Sequence, residues 1–215
     1  MRLLYINPNA SASMTDAIVA AARLALPGAR IDGVTNAGGP PAIQGEADGA
    51  AAIPGTLDLL SRADADAAVI ACFDDTGLQA AQAAAPFPVL GIGRSAYVMA
   101  GLMGRRFSVV TSLAVSVPVI EGNIARGGYV PACVSVRASG LPVLTIDAGG
   151  PAVLDRLSGE IAAARAEGAQ AVVLGCAGMA PLAAPLGKRS GVPLIDGVAA
   201  SAHLAAAAAG FSQGH

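Results

Sequence analysis

Several side chains on which common enzymes and nucleic-acid-binding proteins depend are scarce in this chain. Its 215 residues include no tryptophan, 3% aromatics and two histidines, His203 and His215. Stacking platforms for bases or sugars need aromatic rings, and histidine supplies the base of a Ser-His-Asp triad and many zinc ligands. We therefore expect no base-stacking surface, no histidine-dependent triad and no metal site.

Nucleotide-binding patterns are weak or missing. The sequence has no G-x-x-x-x-G-K-S/T phosphate loop. Gly91-x-Gly93-x-x-Ala96 superficially matches the dinucleotide fingerprint, but that fingerprint needs an acidic residue about 20 positions later. No Asp or Glu occurs between Asp75 and Glu121. We expect neither a nicotinamide cofactor nor nucleotide hydrolysis.

Charge is scarce as well. Asp, Glu, Lys and Arg make up 13% of the chain, the formal net charge is −2, and no basic run occurs. A basic surface is the electrostatic signature of nucleic-acid binding, so no nucleic-acid partner is expected. The uncharged stretch 76–93 is interrupted by glutamines and prolines, and the tail from Gly197 is mostly alanine. Neither predicts a membrane span.

The cysteines and the N-terminus favour a cytoplasmic location. The opening run MRLLYINPN is broken by Asn7 and Pro8 after a few apolar residues, which is too short for the core of a secretory signal. The chain has three cysteines. Without a secretory signal these are expected to be free thiols in a reducing compartment, serving chemistry or packing rather than disulfides.

Short apolar runs alternate with alanine-rich helical stretches, which is typical of β-α units around a parallel sheet. The pattern predicts an α/β fold of two pseudo-symmetric lobes, each a mainly parallel four-stranded sheet flanked by helices, with a site in the cleft between them. Lobe 1 is predicted over 1–94 and lobe 2 over 95–197, with a C-terminal helix over 198–215 that packs back on lobe 1. Strands are predicted at 3–6, 30–34, 67–71, 89–92, 107–111, 143–146, 171–175 and 194–195. Helices are predicted at 13–25, 50–62, 78–85, 115–126, 152–167, 180–189 and 198–209.

Two cysteines occupy matching places in the two halves. Cys72 follows one apolar run in AAVIACFDDTGL, and Cys176 follows another in AVVLGCAGMAPL. The spacing of 104 residues between them also separates Arg2 in RLLYINPN from Arg106 in RFSVVTSL. Because the carboxyl ends of parallel strands meet at one edge, this duplication predicts two thiols facing each other across a cleft.

Two simpler explanations of these cysteines are also possible. A free cysteine is often only a small buried hydrophobe, and two touching cysteines can form a disulfide. The duplicated position favours functional thiols, and the backbone N–H groups of the turns that follow are expected to favour thiolates. Cys133 has no counterpart one repeat earlier, where Ala29 lies, and is expected to be structural or a bystander.

Short neutral polar residues follow the other two strands that point at the cleft. They are Asn7, Asn9 and Ser11 after the first strand, and Thr111 and Ser112 after its counterpart. Helix capping is one explanation for them. If they face the cleft, they suit amide or imide groups better than carboxylates, which call for an arginine clamp.

With INPN, CFDDTGL, RFSVVT, VRASGLPVL, VLGCAGM and PLIDGVAA in order, the chain resembles the hydantoin racemase branch of the aspartate/glutamate racemase superfamily over nearly its whole length. The resemblance implies a cofactor-independent racemase of 5-substituted hydantoins that acts on a small molecule and forms a homo-oligomer. It implies that Cys72 and Cys176 exchange a proton at C5 on opposite faces. The loop reads FDDTG where FGDPG is usual in this branch.

Candidate substrate-binding residues surround the two thiols. The side chains of Asn7, Asn9, Thr111 and Ser112 are candidate hydrogen-bond donors. So are the backbone N–H groups after each cysteine, at Phe73, Asp74, Ala177 and Gly178. Alternative functions are racemisation of allantoin, racemisation of amino acids such as aspartate or glutamate, and capture of a small ligand by a two-lobed binding protein without catalysis.

Overall fold

Two four-stranded parallel sheets of identical topology form the framework of the protein. The computed structural model describes residues 1–213. The strand orders are β2-β1-β3-β4 and β6-β5-β7-β8, and all pairs are parallel. The strands are β1 Arg2–Asn7, β2 Arg30–Thr35, β3 Ala67–Ile70, β4 Val89–Gly91, β5 Phe107–Thr111, β6 Cys133–Ala138, β7 Ala171–Gly175 and β8 Leu194–Asp196. The predicted fold class is confirmed.

Helices connect the strands and cover both faces of each sheet. They are α1 Ala12–Ala25, α2 Glu46–Ser61, α3 Leu78–Ala84, α4 Ile92–Leu102, α5 Val117–Arg126, α6 Val143–Ala148, α7 Pro151–Ala166, α8 Ala183–Ser190 and α9 Gly197–Gln213. Short 3-10 turns lie at Ala114–Ser116, Val130–Ala132 and Ala177–Leu182. Every helix predicted from the sequence is present with shifted ends, whereas α4 and α6 were not predicted. The last two residues of the predicted C-terminal helix, including His215, lie outside the described residues.

The strands that precede Cys72 and Cys176 are completely buried. Every residue of β3 and of β7 is buried, which explains their unbroken apolar runs, since a parallel sheet is covered on both faces. One apolar cluster extends through both halves, from Leu3 on β1 to Ile195 on β8. The two sheets are therefore held in a fixed relation by a shared core.

The strand predicted at 143–146 is wrong. That segment is helix α6, and the fourth strand of the second sheet is β6. All six β6 residues are only partly buried, because β6 is an edge strand, so its alternating sequence CVSVRA lacks the apolar run of a central strand. Pro142 precedes α6, and a proline is well tolerated where a helix begins.

The chain crosses between the halves within two helices that pack against each other. Helix α4 follows β4 but also contacts β7 and β8, and α9 follows β8 but also contacts α1, β3 and β4. Their N-termini meet closely, since a Cβ on Gly197 would collide with the carbonyl oxygen of Ile92. The crossing predicted near Arg94 falls inside α4. The lobe boundaries stay a prediction.

Candidate active site

The two cysteines of the repeat lie at the carboxyl ends of equivalent central strands. Cys176 directly follows β7 and Cys72 lies two residues after β3. Both side chains line one small inner cavity of about 30 Å³. All three cysteines are free thiols, so a disulfide between the halves is not formed.

Tight strand packing sets the position of Cys176. Gly175 precedes it, and a Cβ at Gly175 would lie 2.8 Å from the carbonyl oxygen of Val110 and 3.0 Å from the Cα of Thr111 on β5. These distances are below ordinary van der Waals contact, so a side chain at this position would push β7 away from β5. The absence of a side chain at Gly175 therefore lets the two strands deliver Cys176 and Thr111 to the same cavity.

Ionisation of both thiols is strongly disfavoured. Burial raises the pKa of Cys176 to about 12 and that of Cys72 further, and the nearby Asp74 carboxyl raises both. Backbone N–H groups in the following turns do lower each pKa, as expected, but burial outweighs them. The expected effect of these turns is thus present, but in the protein without substrate burial outweighs it and raises the pKa of each thiol above its ordinary value.

Asp75 connects the loop after Cys72 to helix α4. Its Oδ1 accepts the N–H of Gly93 at 3.0 Å, and its Oδ2 accepts the N–H of Arg94 at 2.8 Å. A Cβ at Gly91 would overlap this carboxylate, and a Cβ at Gly93 would collide with the carbonyl oxygen of Phe73. Gly91 thus makes room for Asp75, and Gly93 makes room for the backbone of the loop after Cys72. Asp75 itself has a left-handed backbone with φ +51°. Its role in joining this loop to α4 was not predicted from the sequence.

Asp74 is the acidic residue in the wall of the inner cavity. Burial raises the pKa of its carboxyl to about 7, while the Ser116 hydroxyl acts in the opposite direction. Its Oδ2 is buried and has no hydrogen-bond partner among the described residues. The Asn123 side chain donates to the Asp74 carbonyl at 2.8 Å, which ties the loop to helix α5.

The asparagines after β1 have different roles. Asn9 lines the cavity. Asn7 does not, since its amide donates to Asn9 Oδ1 at 2.9 Å and to Thr15 Oγ1 at 3.0 Å. Ser11 caps α1 by accepting the Met14 N–H at 3.2 Å, as the capping alternative predicts. Asn7 thus orients Asn9 rather than facing the cavity.

Most of the other predicted site residues also meet at the cavity. Phe73, Thr111, Ser112 and Ala177 line it, whereas Gly178 does not. The Gly178 backbone N–H instead favours the ionised form of Cys176 and lowers its pKa. The Thr111 hydroxyl donates to the Gly175 carbonyl at 2.9 Å. Further lining residues that sequence analysis did not identify are Met14, Ile43, Ala71, Ser116, Val143 and Gly175.

Contacts across the cleft close the cavity over these residues. The Val143 N–H donates to Gln44 Oε1 at 3.0 Å. Gly45, with φ +98°, packs directly against Val115. Small-molecule sites usually measure about 300–1,000 Å³, so the inner cavity requires movement of its walls to accept even a five-membered ring.

Two further findings concern residues 1–213. No group of three or more His, Cys, Asp or Glu in this range is arranged to hold a metal ion. Within the same range, no helix combines the length and hydrophobicity needed to cross a bilayer.

Two like-folded α/β lobes that share one cavity are the architecture of the Asp/Glu racemase fold. The chain belongs to the Asp/Glu/hydantoin racemase family, whose model matches residues 3–205. It is therefore a racemase, and the prediction of an isomerase is confirmed.

Similar proteins cover nearly the whole chain. A hydantoin racemase from Rhizobium meliloti is 44% identical over 98% of this chain and 89% of its own length. The structure of an allantoin racemase from Klebsiella pneumoniae superposes with a TM-score of 0.93 and 36% identity, covering 99% of this chain and 89% of that one. A glutamate racemase from Francisella tularensis, at 16% identity and TM-score 0.74 over 99% of this chain and 82% of that one, shares the fold.

Proposed function

We propose that this protein racemises 5-substituted hydantoins by two-cysteine proton transfer at C5, without a cofactor. The observation that carries the proposal is that Cys72 and Cys176, each at the end of a central strand, line a single buried cavity. The named activities of the Rhizobium meliloti and Klebsiella pneumoniae proteins support a cyclic ureide as substrate.

In the proposed reaction one cysteine acts as a thiolate and the other as a thiol. The thiolate removes the C5 proton, and the electron pair of the C–H bond moves into the ring as an enolate at the adjacent carbonyl. The thiol on the opposite face then gives its proton to C5. The product is the other enantiomer, and the two sulfurs have exchanged protonation states. When the opposite enantiomer is the substrate, the two cysteines exchange roles. Each positioned acid or base contributes about 10²–10⁴-fold.

Developing charge on the ring oxygen needs hydrogen-bond donors, since fixed donors stabilise such an oxyanion in a water-excluded site. Asn9 and Ser112 both line the cavity and are the proposed side-chain donors. Backbone N–H groups at Phe73 and Ala177, in the turns after the cysteines, are the proposed main-chain donors. Asn7 and Gly178 are proposed to position Asn9 and Cys176 respectively.

The lining of the cavity disfavours free amino acids as substrates. No arginine or lysine is among the described residues that line it, and its one ionisable side chain besides the two thiols is the carboxyl of Asp74. An α-carboxylate would need a cationic partner there, whereas a hydantoin ring is neutral and offers amide N–H and carbonyl groups. Allantoin, a hydantoin with a ureido group at C5, is the second candidate because of the similarity to the Klebsiella pneumoniae structure.

The decisive experiment follows the optical rotation of pure 5-monosubstituted hydantoins, including allantoin, in deuterated buffer. We expect loss of rotation with deuterium entering C5 for the wild-type protein, and neither event above the spontaneous rate for Cys72→Ser or Cys176→Ser. Cys133→Ser is the matched control and should retain activity, because Cys133 does not line the cavity. A wild-type protein that binds hydantoins without racemising them would instead support the binding-protein alternative.

The cytoplasmic location and the homo-oligomer are also proposals. The first rests on the free thiols and the second on family resemblance. Size-exclusion chromatography with light scattering measures the second, and a monomeric mass at micromolar concentration would contradict it.

A further inference from the structure

A second and much larger cavity adjoins the inner one. It has a volume of about 490 Å³ and lies between α2, the loop after Cys72, α4 and α5. Asp74 lines both cavities and, within residues 1–213, is the one residue that does so. The outer cavity has the size of a ligand pocket, and Asp74 forms part of the wall between it and the cavity that holds the two thiols.

Three residues that line the outer cavity carry a buried polar atom for which the described chain provides no hydrogen-bond partner. These atoms are Oδ2 of Asp74, Oγ1 of Thr76 and the hydroxyl oxygen of Tyr97. Tyr97 is 1% exposed and is held by ring contacts to Phe73 and Phe107 at 5.8 and 5.7 Å between centroids. Buried polar groups in native proteins are nearly always paired, so these atoms are suited to pair with a ligand.

The polar atoms of Asp74 and Tyr97 together favour a ligand that both donates and accepts hydrogen bonds. The Asp74 carboxylate accepts, and the Tyr97 hydroxyl can donate. A ureido group supplies N–H donors and a carbonyl acceptor, whereas an alkyl or benzyl group would leave both protein atoms unpaired. The ionised form of the Asp74 carboxyl would repel a carboxylate on the ligand.

The remaining lining does not select for net charge. The charged residues at the mouth, Glu46, Arg94 and Arg126, are exposed and of both signs. Apolar side chains of Ile53, Leu78 and Val119 form part of the wall, together with the polar residues Gln79 and Asn123. The buried polar atoms without partners lie in the part of the wall formed by the loop after Cys72 and by Tyr97.

We propose that the outer cavity receives the C5 substituent of the substrate, and that Asp74 is the specificity-determining residue that selects a hydrogen-bonding, ureido-like substituent over an apolar one. This inference rests on the proposed function, because it assumes that the hydantoin ring occupies the space between the two thiols. It narrows the substrate class to hydantoins whose C5 substituent carries N–H and carbonyl groups.

The test compares kcat/KM for allantoin and for 5-benzylhydantoin in the wild type and three variants. Asp74→Leu keeps the size of the side chain but removes its polar atoms, and Asp74→Asn keeps both shape and hydrogen bonding. Asp147→Asn is the control, since Asp147 is a carboxyl near Cys176 that lines neither cavity. We expect Asp74→Leu to lower the allantoin-to-benzyl ratio at least about tenfold, Asp74→Asn to lower it less, and Asp147→Asn to leave it unchanged.

The outcomes separate this inference from the proposed function. If the wild type racemises neither compound, the proposed function is overturned. If it racemises both and Asp74→Leu leaves the ratio unchanged, or if it prefers the benzyl compound, the specificity role is overturned while the function stands. Calorimetric binding of allantoin to the Cys72→Ser, Cys176→Ser double variant, with and without Asp74→Leu, covers the case of low turnover. Equal affinities there would also overturn the inference.

Discussion

The close packing at Gly175 allows a quantitative test of how the fold positions one thiol. In Gly175→Ala the new methyl group would lie 2.8 Å from the Val110 carbonyl oxygen and 3.0 Å from the Thr111 Cα. Carbon atoms need about 3.5 Å or more, so β7 must move away from β5 by several tenths of an ångström. Overpacking of this kind costs about 1–3 kcal/mol.

The same displacement reaches the site, because Cys176 is the next residue. A misplacement of about 1 Å can cost about 10²-fold in rate, so a shift of several tenths should lower kcat about tenfold. The assay is urea unfolding together with racemisation kinetics on the same preparation. Gly187→Ala is the matched control, since nothing lies within 4 Å of a Cβ there. This glycine lies within α8, where alanine is favoured by about 1 kcal/mol.

A Gly175→Ala protein with wild-type stability and wild-type kcat would refute the reasoning, because it would mean that β5 and β7 separate without cost. Loss of stability with unchanged kcat would show that the strand moves while the thiol does not. The expected result is a fall in both, with Gly187→Ala equal to or more stable than the wild type and fully active.

Three further predictions concern individual side chains. Asp75→Ala removes the acceptor of two backbone N–H groups at the start of α4, so urea unfolding should show a loss of about 1–3 kcal/mol; an unchanged midpoint would exclude this anchoring role. Glu160→Ala removes one of the two carboxylates that pair with the Arg137 guanidinium, the other being Glu167, and should lower the free energy of unfolding by about 1 kcal/mol. Burial raises the pKa of Cys72 and Cys176 above the ordinary 9.0, so their contribution to stability is complete below about pH 9 and is lost as pH rises further, by up to about 1.4 kcal/mol per pH unit for each thiol. The double alanine variant should flatten that fall between pH 9 and 11 in urea midpoints.

The repeat in the sequence predicted the architecture correctly because central strands carry their signal locally. Buried parallel strands need unbroken apolar runs, and the runs of β3 and β7 are complete. The edge strand β6 is only partly buried, so its sequence carries no such run and the apolar stretch that begins α6 was mistaken for it. Helix α4 was not predicted, and the glycines at 91 and 93 make room there for Asp75 and for the carbonyl oxygen of Phe73.

The site was predictable to the level of which loops contribute to it. Strand ends in a parallel sheet share one edge, which placed Cys72, Cys176 and Thr111 together. The direction of a side chain was not predictable in the same way. Asn7 turns away from the cavity to orient Asn9, and nothing in the spacing distinguishes the two.

The sequence by itself determined the parts of this protein that depend on neighbours along the chain: the α/β class, the duplicated halves, and the two cysteines at equivalent strand ends. Only the tertiary structure decided the properties that depend on contacts between distant segments. Burial raises the pKa of both thiols, and Gly45 and Gln44 contact the second half across the cleft. The tertiary structure also places Asp74 in the walls of two cavities. The physical reason is that desolvation and steric closure depend on atoms far apart in the chain. Hydrophobic periodicity and the residue preferences of turns depend only on residues that are near each other in the sequence.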